Sequence, residues 1–161
     1  MFGLFKKKKK SVELFAVCNG TFKSIEKVND TVFADKIMGD GFAVSPTTGK
    51  VDVYSPIKGK VLSIFPTKHA ITFETEEGIE GLVHMGIDTV ALKGDGFVVD
   101  VKEGQKIDQN TRLAQMDVDF ITTQDKDCDI IVVFTNLDNK KMAINQTGDV
   151  KKSQPIGSIE L

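Results

Sequence analysis

The chain has 161 residues, of which 40% are hydrophobic and 27% charged, values that suit one soluble globular domain with a sizeable core. The net charge is −2, and because Lys6 to Lys10 supply +5, residues 11–161 carry −7. An acidic body repels nucleic acid and suits a basic protein partner, and no apolar run reaches the length of a membrane span.

Taken in chain order, the first segment is MFGLFKKKKK. Its lysines follow a very short apolar patch, the reverse of a secretory signal, and Phe2 stands where myristoylation needs glycine. Residues 1–10 are therefore expected to form a low-complexity tail, either solvated or in weak contact with an anionic membrane surface through Lys6 to Lys10. A cytoplasmic location follows as an expectation, with Cys18 and Cys128 reduced and packed in the interior.

From residue 11 onward, short runs of Val, Ile, Phe and Thr are closed by Gly, Pro, Asn or Asp. VELFAV ends at CNG, GFAVSP at TTGK, VDVYSP at IKGK and KVLSIF at PTK; later come FVVDV, CDIIVVFTNL and IGSIEL. This rhythm predicts an all-β fold over residues 11–161, an antiparallel β-sandwich or barrel-like single domain with at most short helical turns. VNDTVFADKIMGDG is the one segment predicted to hold a helical turn, ended by Gly39 and Gly41. SPIKGKVLSI and VKEGQKIDQNTRLAQMD resemble each other, and both resemble the glycine-turned hammerhead units of biotinyl and lipoyl carrier domains. Arg112 is the only arginine, so if the chain handles phosphate, an arginine clamp is expected from a partner.

HAITFETEEGIEGLVH contains both histidines of the chain, His69 and His84, on either side of one hairpin turn. A two-residue loop at Glu76-Glu77 places them directly across from each other, about 4.5–5.5 Å apart at Cβ. A loop at Glu77-Gly78 makes the pair diagonal on the same face, and only an odd loop closed by a glycine bulge puts them on opposite faces. The even loops predict a histidine pair. Thr67 then shares a strand face with His69 and can orient its imidazole. Gly86 lets the backbone approach His84, so that a carbonyl holds one ring nitrogen and leaves the other as an unprotonated nucleophile. Two alternatives remain on these residues alone: ordinary core histidines, or two ligands of a zinc site, although no nearby Cys or His completes such a set.

TKHAITFETEEGIEGLVHMGIDTVALKGDGF closely resembles the active-site region of glucose-type enzyme IIA, the phosphocarrier of the bacterial phosphoenolpyruvate-dependent sugar phosphotransferase system. NDTVFADKIMGDGFAV resembles that family's other active-site segment, and VYSPIKGKVLSIFPTKHA keeps its spacing, so the resemblance covers roughly residues 11–161. It implies a β-sandwich phosphotransferase component. Such a carrier accepts a phosphoryl group from the histidine-containing phosphocarrier protein and donates it to the IIB cysteine of a glucose-type sugar permease. By resemblance His84 is the phosphorylated residue, His69 stabilises the transferring group, Thr67 bonds His69, and the Gly86 carbonyl orients His84. Asp30 and Asp88 match an acidic pair that meets a partner's arginine. Val32, Phe33, Ile37, Met38, Phe65 and Val90 match an apolar docking ring. No cofactor is required, and zinc is expected at His69 and His84 only where a partner adds a carboxylate. Met85 and Leu82 stand where well-studied relatives carry phenylalanines. The rival reading is a zinc-dependent hydrolase of a related β fold, which needs an H-x-H pair that this chain lacks.

Overall fold

The computed structural model describes residues 10–161. The Val-, Ile- and Phe-rich runs form strands, as β-branched and aromatic side chains fit a half-buried pleated surface. They are β1 (Ser11–Phe15), β2 (Gly20–Ser24), β3 (Gly41–Pro46), β4 (Lys50–Tyr54), β5 (Gly59–Ile64), β6 (Ala70–Thr75) and β7 (Glu80–Met85). The remainder are β8 (Phe97–Val99), β9 (Lys106–Ile107), β10 (Arg112–Asp117), β11 (Ile130–Phe134), β12 (Met142–Ile144), β13 (Asp149–Val150) and β14 (Pro155–Glu160). All pairings are antiparallel. One large sheet has the order β13-β2-β3-β11-β7-β6-β5-β9; two three-stranded sheets have the orders β1-β14-β12 and β4-β10-β8.

The main core joins Phe42, Phe73, Val83, Met85, Val132 and Phe134 of the large sheet to residues of both small sheets, such as Leu14, Val53, Leu113 and Ile159. The sandwich expected from the strand rhythm is thus observed. The two glycine-turned segments are its seams. β4 lies in a small sheet and β5 in the large one, while β9 and β10 make the reverse passage. Gly59 of the first segment pairs with Ile107 of the second, and β4, which leads into the first, pairs with β10 as far as Lys50 with Asp117.

On the other face of the large sheet, a smaller apolar cluster joins Ala43, Leu82, Ile131 and Val133 to Ile25, Val28 and Phe33 of the segment that crosses above them. That segment contains a 3-10 turn (Ile25–Lys27) and helix α1 (Thr31–Ala34), the helical turn foreseen in the sequence. Asp30 caps α1 by accepting the Val32 N–H at 2.9 Å. β11 is buried along its whole length because both of its faces are covered.

A second helix, α2 (Val118–Thr123), was not expected. VDFITT is rich in β-branched residues, which favour strands. Two local effects override that preference: Asp117 accepts the Phe120 N–H at 3.1 Å as an N-cap, and Val118 and Ile121 are buried in the main core. The thiols also divide. Cys18 is fully buried, and burial pushes its pKa up to about 12, which makes it inert. Cys128, expected in the interior, is only half-buried. Residues 1–9 of the expected tail lie outside the described residues, while the Lys10 carbonyl accepts the Leu161 N–H at 3.1 Å and so belongs to the folded body.

Candidate functional site

The site forms where β6 and β7 emerge beside α1, on the face of the large sheet that carries the smaller cluster. β7 runs between β6 and β11, and His84 is flanked there by Ala70 and Ile131. Ala70, not His69, is thus the direct neighbour of His84, which corrects the expected register. Thr75 N–H donates to Ile79 O at 2.8 Å and Gly78 N–H to Thr75 O at 3.0 Å, leaving Glu76-Glu77-Gly78 as a three-residue loop. Gly78 has φ 91°, the left-handed glycine that closes such a loop with a bulge.

On a regular strand this odd loop would send the two histidines to opposite faces. They meet because His69 precedes β6. It ends a turn in which Lys68 N–H donates to Phe65 O at 2.8 Å and Lys68 adopts φ 62°. The turn brings the His69 ring over the sheet face, and the Met85 N–H fixes its backbone by donating to His69 O at 2.7 Å. The ring centroids of His69 and His84 lie 4.9 Å apart, with planes at 78°. Phe65 meets His69 edge-on at 5.3 Å, and Phe33 lies 5.0 Å from His84.

Each ring is oriented by one bond at Nδ1. Thr67 Oγ1 lies 2.7 Å from His69 Nδ1, with Thr67 in the turn and not on a strand face as expected. A hydroxyl can both donate and accept, so this bond orients the ring without fixing its tautomer. The bond on His84 does fix it. Nδ1–H donates to the Gly86 carbonyl at 2.7 Å, a carbonyl can only accept, and Nε2 therefore carries no proton in the neutral ring. Gly86 has φ 81°, and a Cβ there would lie 2.5 Å from Thr89 Cγ2 and 2.9 Å from the Asp127 carbonyl, so no larger residue fits.

Burial holds both rings neutral. His84 is pushed down to about 4, chiefly by desolvation and further by neighbouring His69, against the Gly86 bond and the charges of Asp30 and Asp88. His69, only 3% exposed, is lowered chiefly by burial. For His84 the ordinary value is 6.5, above the folded value, so between these limits the unfolded chain binds a proton that the folded chain does not. Its stabilising contribution is complete above pH 6.5 and is lost as the pH falls towards about 4. An NMR titration of the His84 ring is expected to show a midpoint near 4; a midpoint at or above 6.5 contradicts the buried neutral ring.

Around the rings, Val32, Ile37, Met38, Phe65 and Val90 are exposed, Ile37 by 70%. Phe33, expected in the same ring, is only 6% exposed and forms a wall behind His84 instead of a docking surface. Asp30 and Asp88 are both close enough for their charges to act on His84, and neither is in an ion pair among the described residues. Among the described residues, no group of three or more His, Cys, Asp or Glu side chains is arranged to hold a metal ion. The third protein ligand of a catalytic zinc site is thus lacking, and nothing supports the hydrolase reading.

A family model described as "phosphoenolpyruvate-dependent sugar phosphotransferase system, EIIA 1" matches residues 12–140. The chain belongs to this family. As an EIIA protein it is a phosphoryl-carrying transferase component of the sugar phosphotransferase system. It is 42% identical over 138 residues to the PTS system glucose-specific EIIA component of Staphylococcus epidermidis, an alignment covering 86% of this chain and 82% of that protein. It is 44% identical over 150 residues to the PTS system glucose-specific EIICBA component of Streptococcus pneumoniae; this covers 92% of the chain but only 20% of that longer protein. The solved glucose permease IIA from Mycoplasma capricolum superposes with a TM-score of 0.87 at 32% identity, covering 96% of this EIIA chain and 99% of the other.

Proposed function

We propose that His84 is the phosphorylated residue and that its Nε2 takes the phosphoryl group from the histidine-containing phosphocarrier protein and passes it to the cysteine of the IIB domain of a glucose-type sugar permease. The observation that carries this reading is the Nδ1–H bond to the Gly86 carbonyl, which leaves an unprotonated nitrogen beside a second imidazole within an apolar rim. In acceptance, the Nε2 lone pair forms the new P–N bond while the donor's P–N bond breaks and its electron pair returns to the donor ring. In donation, a thiolate attacks phosphorus and the pair of the breaking P–N bond returns to Nε2. No proton moves at His84, because Nδ1–H stays on Gly86. His69, oriented by Thr67, stabilises charge on the transferring oxygens, and the rim excludes water that would hydrolyse the intermediate. Among the described residues no helix is long and apolar enough to cross a membrane. The carrier works in the cytoplasm in this reading, requires no cofactor, and takes zinc at the histidine pair only with a partner's carboxylate. Transfer of label from phosphoenolpyruvate through the two general relay proteins tests it; failure to label this chain overturns it.

Asp30 and Asp88, carboxylates in no ion pair among the described residues and beside an apolar surface, suit an arginine-bearing partner that docks briefly, with salt mainly slowing association. Asp88→Asn is expected to weaken binding of the histidine-containing phosphocarrier protein and leave the fold intact. Wild-type affinity of that variant across salt concentrations, measured by calorimetry, would remove Asp88 from the docking surface.

A further inference from the structure

The carbonyl that fixes the His84 tautomer belongs to a clamped stretch of backbone. Gly86 N–H donates to Asp129 O at 2.9 Å and Ile87 N–H to Asp127 O at 3.0 Å, so Met85–Gly86–Ile87 is tied to the segment that leads into β11. The peptide unit between Gly86 and Ile87 is thereby held from both sides, its C=O on His84 Nδ1 and its N–H on Asp127. In series these bonds polarise one another and favour the Nδ1–H form.

The anchoring segment is itself pinned by one side chain. Asp129 is 8% exposed, and each of its carboxylate oxygens has a partner: Lys23 Nζ donates to Oδ2 at 2.6 Å and Ser45 Oγ to Oδ1 at 2.6 Å. Lys23 comes from β2 and Ser45 from β3, so these two strands are locked to the residue that leads into β11, two residues before the His84–Ile131 pairing. An ion pair with its lysine part-exposed adds little net stability, so its effect is sought in geometry.

We propose that Asp129 is a positioning residue for phosphoryl transfer: held by Lys23 and Ser45, it fixes the strand end that clamps the Met85–Gly86–Ile87 backbone and so keeps the Gly86 carbonyl on His84 Nδ1. This rests on His84 being the phosphorylated residue. Asp129 touches neither ring nor phosphoryl group, and acts through backbone alone.

The test compares the full-length wild type with Asp129→Leu and Asp129→Asn, using imidazole ¹⁵N shifts of His84 and the rate of phosphoryl acceptance. The Leu variant is expected to populate the Nε2–H tautomer beside the Nδ1–H form and to accept about tenfold more slowly, as supporting partners of functional histidines do when lost. Its affinity for the phosphocarrier protein should stay at the wild-type value. The Asn variant retains an amide oxygen for Ser45 and should keep the wild-type tautomer. A folded Asp129→Leu protein with wild-type shifts and rate overturns the proposal. Should Leu prevent folding, Ser45→Ala read in the same way decides it, unchanged shifts and rate again overturning it. If wild type takes its label elsewhere than His84, the functional reading fails, while the tautomer comparison still judges the role of Asp129 in orienting the ring.

Discussion

Replacing His84 by alanine is expected to abolish labelling of the chain from phosphoenolpyruvate. The only other imidazole, His69, is 3% exposed, and its Nδ1 faces Thr67. Burial pushes the pKa of Cys18 up to about 12 and also raises that of the half-buried Cys128, so no thiolate stands ready as a substitute. The ring of His84 fills space against Phe33 and His69, and alanine leaves a small gap beneath an open rim, so the sheet should fold as before. The measurement is label incorporation with a folding control by circular dichroism. Label retained by a folded His84→Ala protein would place the nucleophile elsewhere.

His69→Gln should separate the two half-reactions. Glutamine keeps a hydrogen-bond donor near the phosphoryl group, so acceptance by His84 survives. It lacks the imidazole's rigid geometry and its capacity to carry charge as negative charge develops towards the outgoing thiolate. Removing one preorganised donor of this kind costs on the order of 10²–10³ in rate, so donation is expected to slow by that factor. Rapid-quench kinetics of both half-reactions provide the check. Equal slowing of the two, or label on His69 in the wild type, would reverse the assigned roles.

Much of this architecture can be read from residue order. Short runs of Val, Ile, Phe and Thr closed by Gly, Pro, Asn or Asp announced an all-β sandwich or barrel, because many short strands between frequent turn residues suit few other folds. α2 stayed hidden because its helix depends on a cap at Asp117 and on core contacts made across the molecule, neither of which periodicity reports. At the site, the meeting of the two histidines was foreseen on grounds that the structure revises. Even hairpin loops were expected to align them across a ladder, whereas an odd loop and a left-handed Lys68 bring them together. Gly86 and Thr67 were legible because their partners lie two residues away. Asp129, Lys23 and Ser45 were not, since their contact spans three strands and leaves no local signature.

The loop Glu76-Glu77-Gly78 carries a consequence for how this chain can vary. It sits at the far end of β6 and β7 from both rings, exposed, where insertions and deletions are ordinarily tolerated. β6 and β7 are each paired on their other edges as well, to β5 and β11, and those ladders fix the face that each side chain takes. A residue added at the tip is therefore taken up in the loop and His84 keeps its face, whereas a residue added or lost within β7 reverses the alternation of side chains beyond it unless a bulge absorbs it. Length variation is therefore tolerated at this remote tip, while a single-residue change inside β7 has to be absorbed by an irregularity such as the one β5 already holds between Val61 and Ser63.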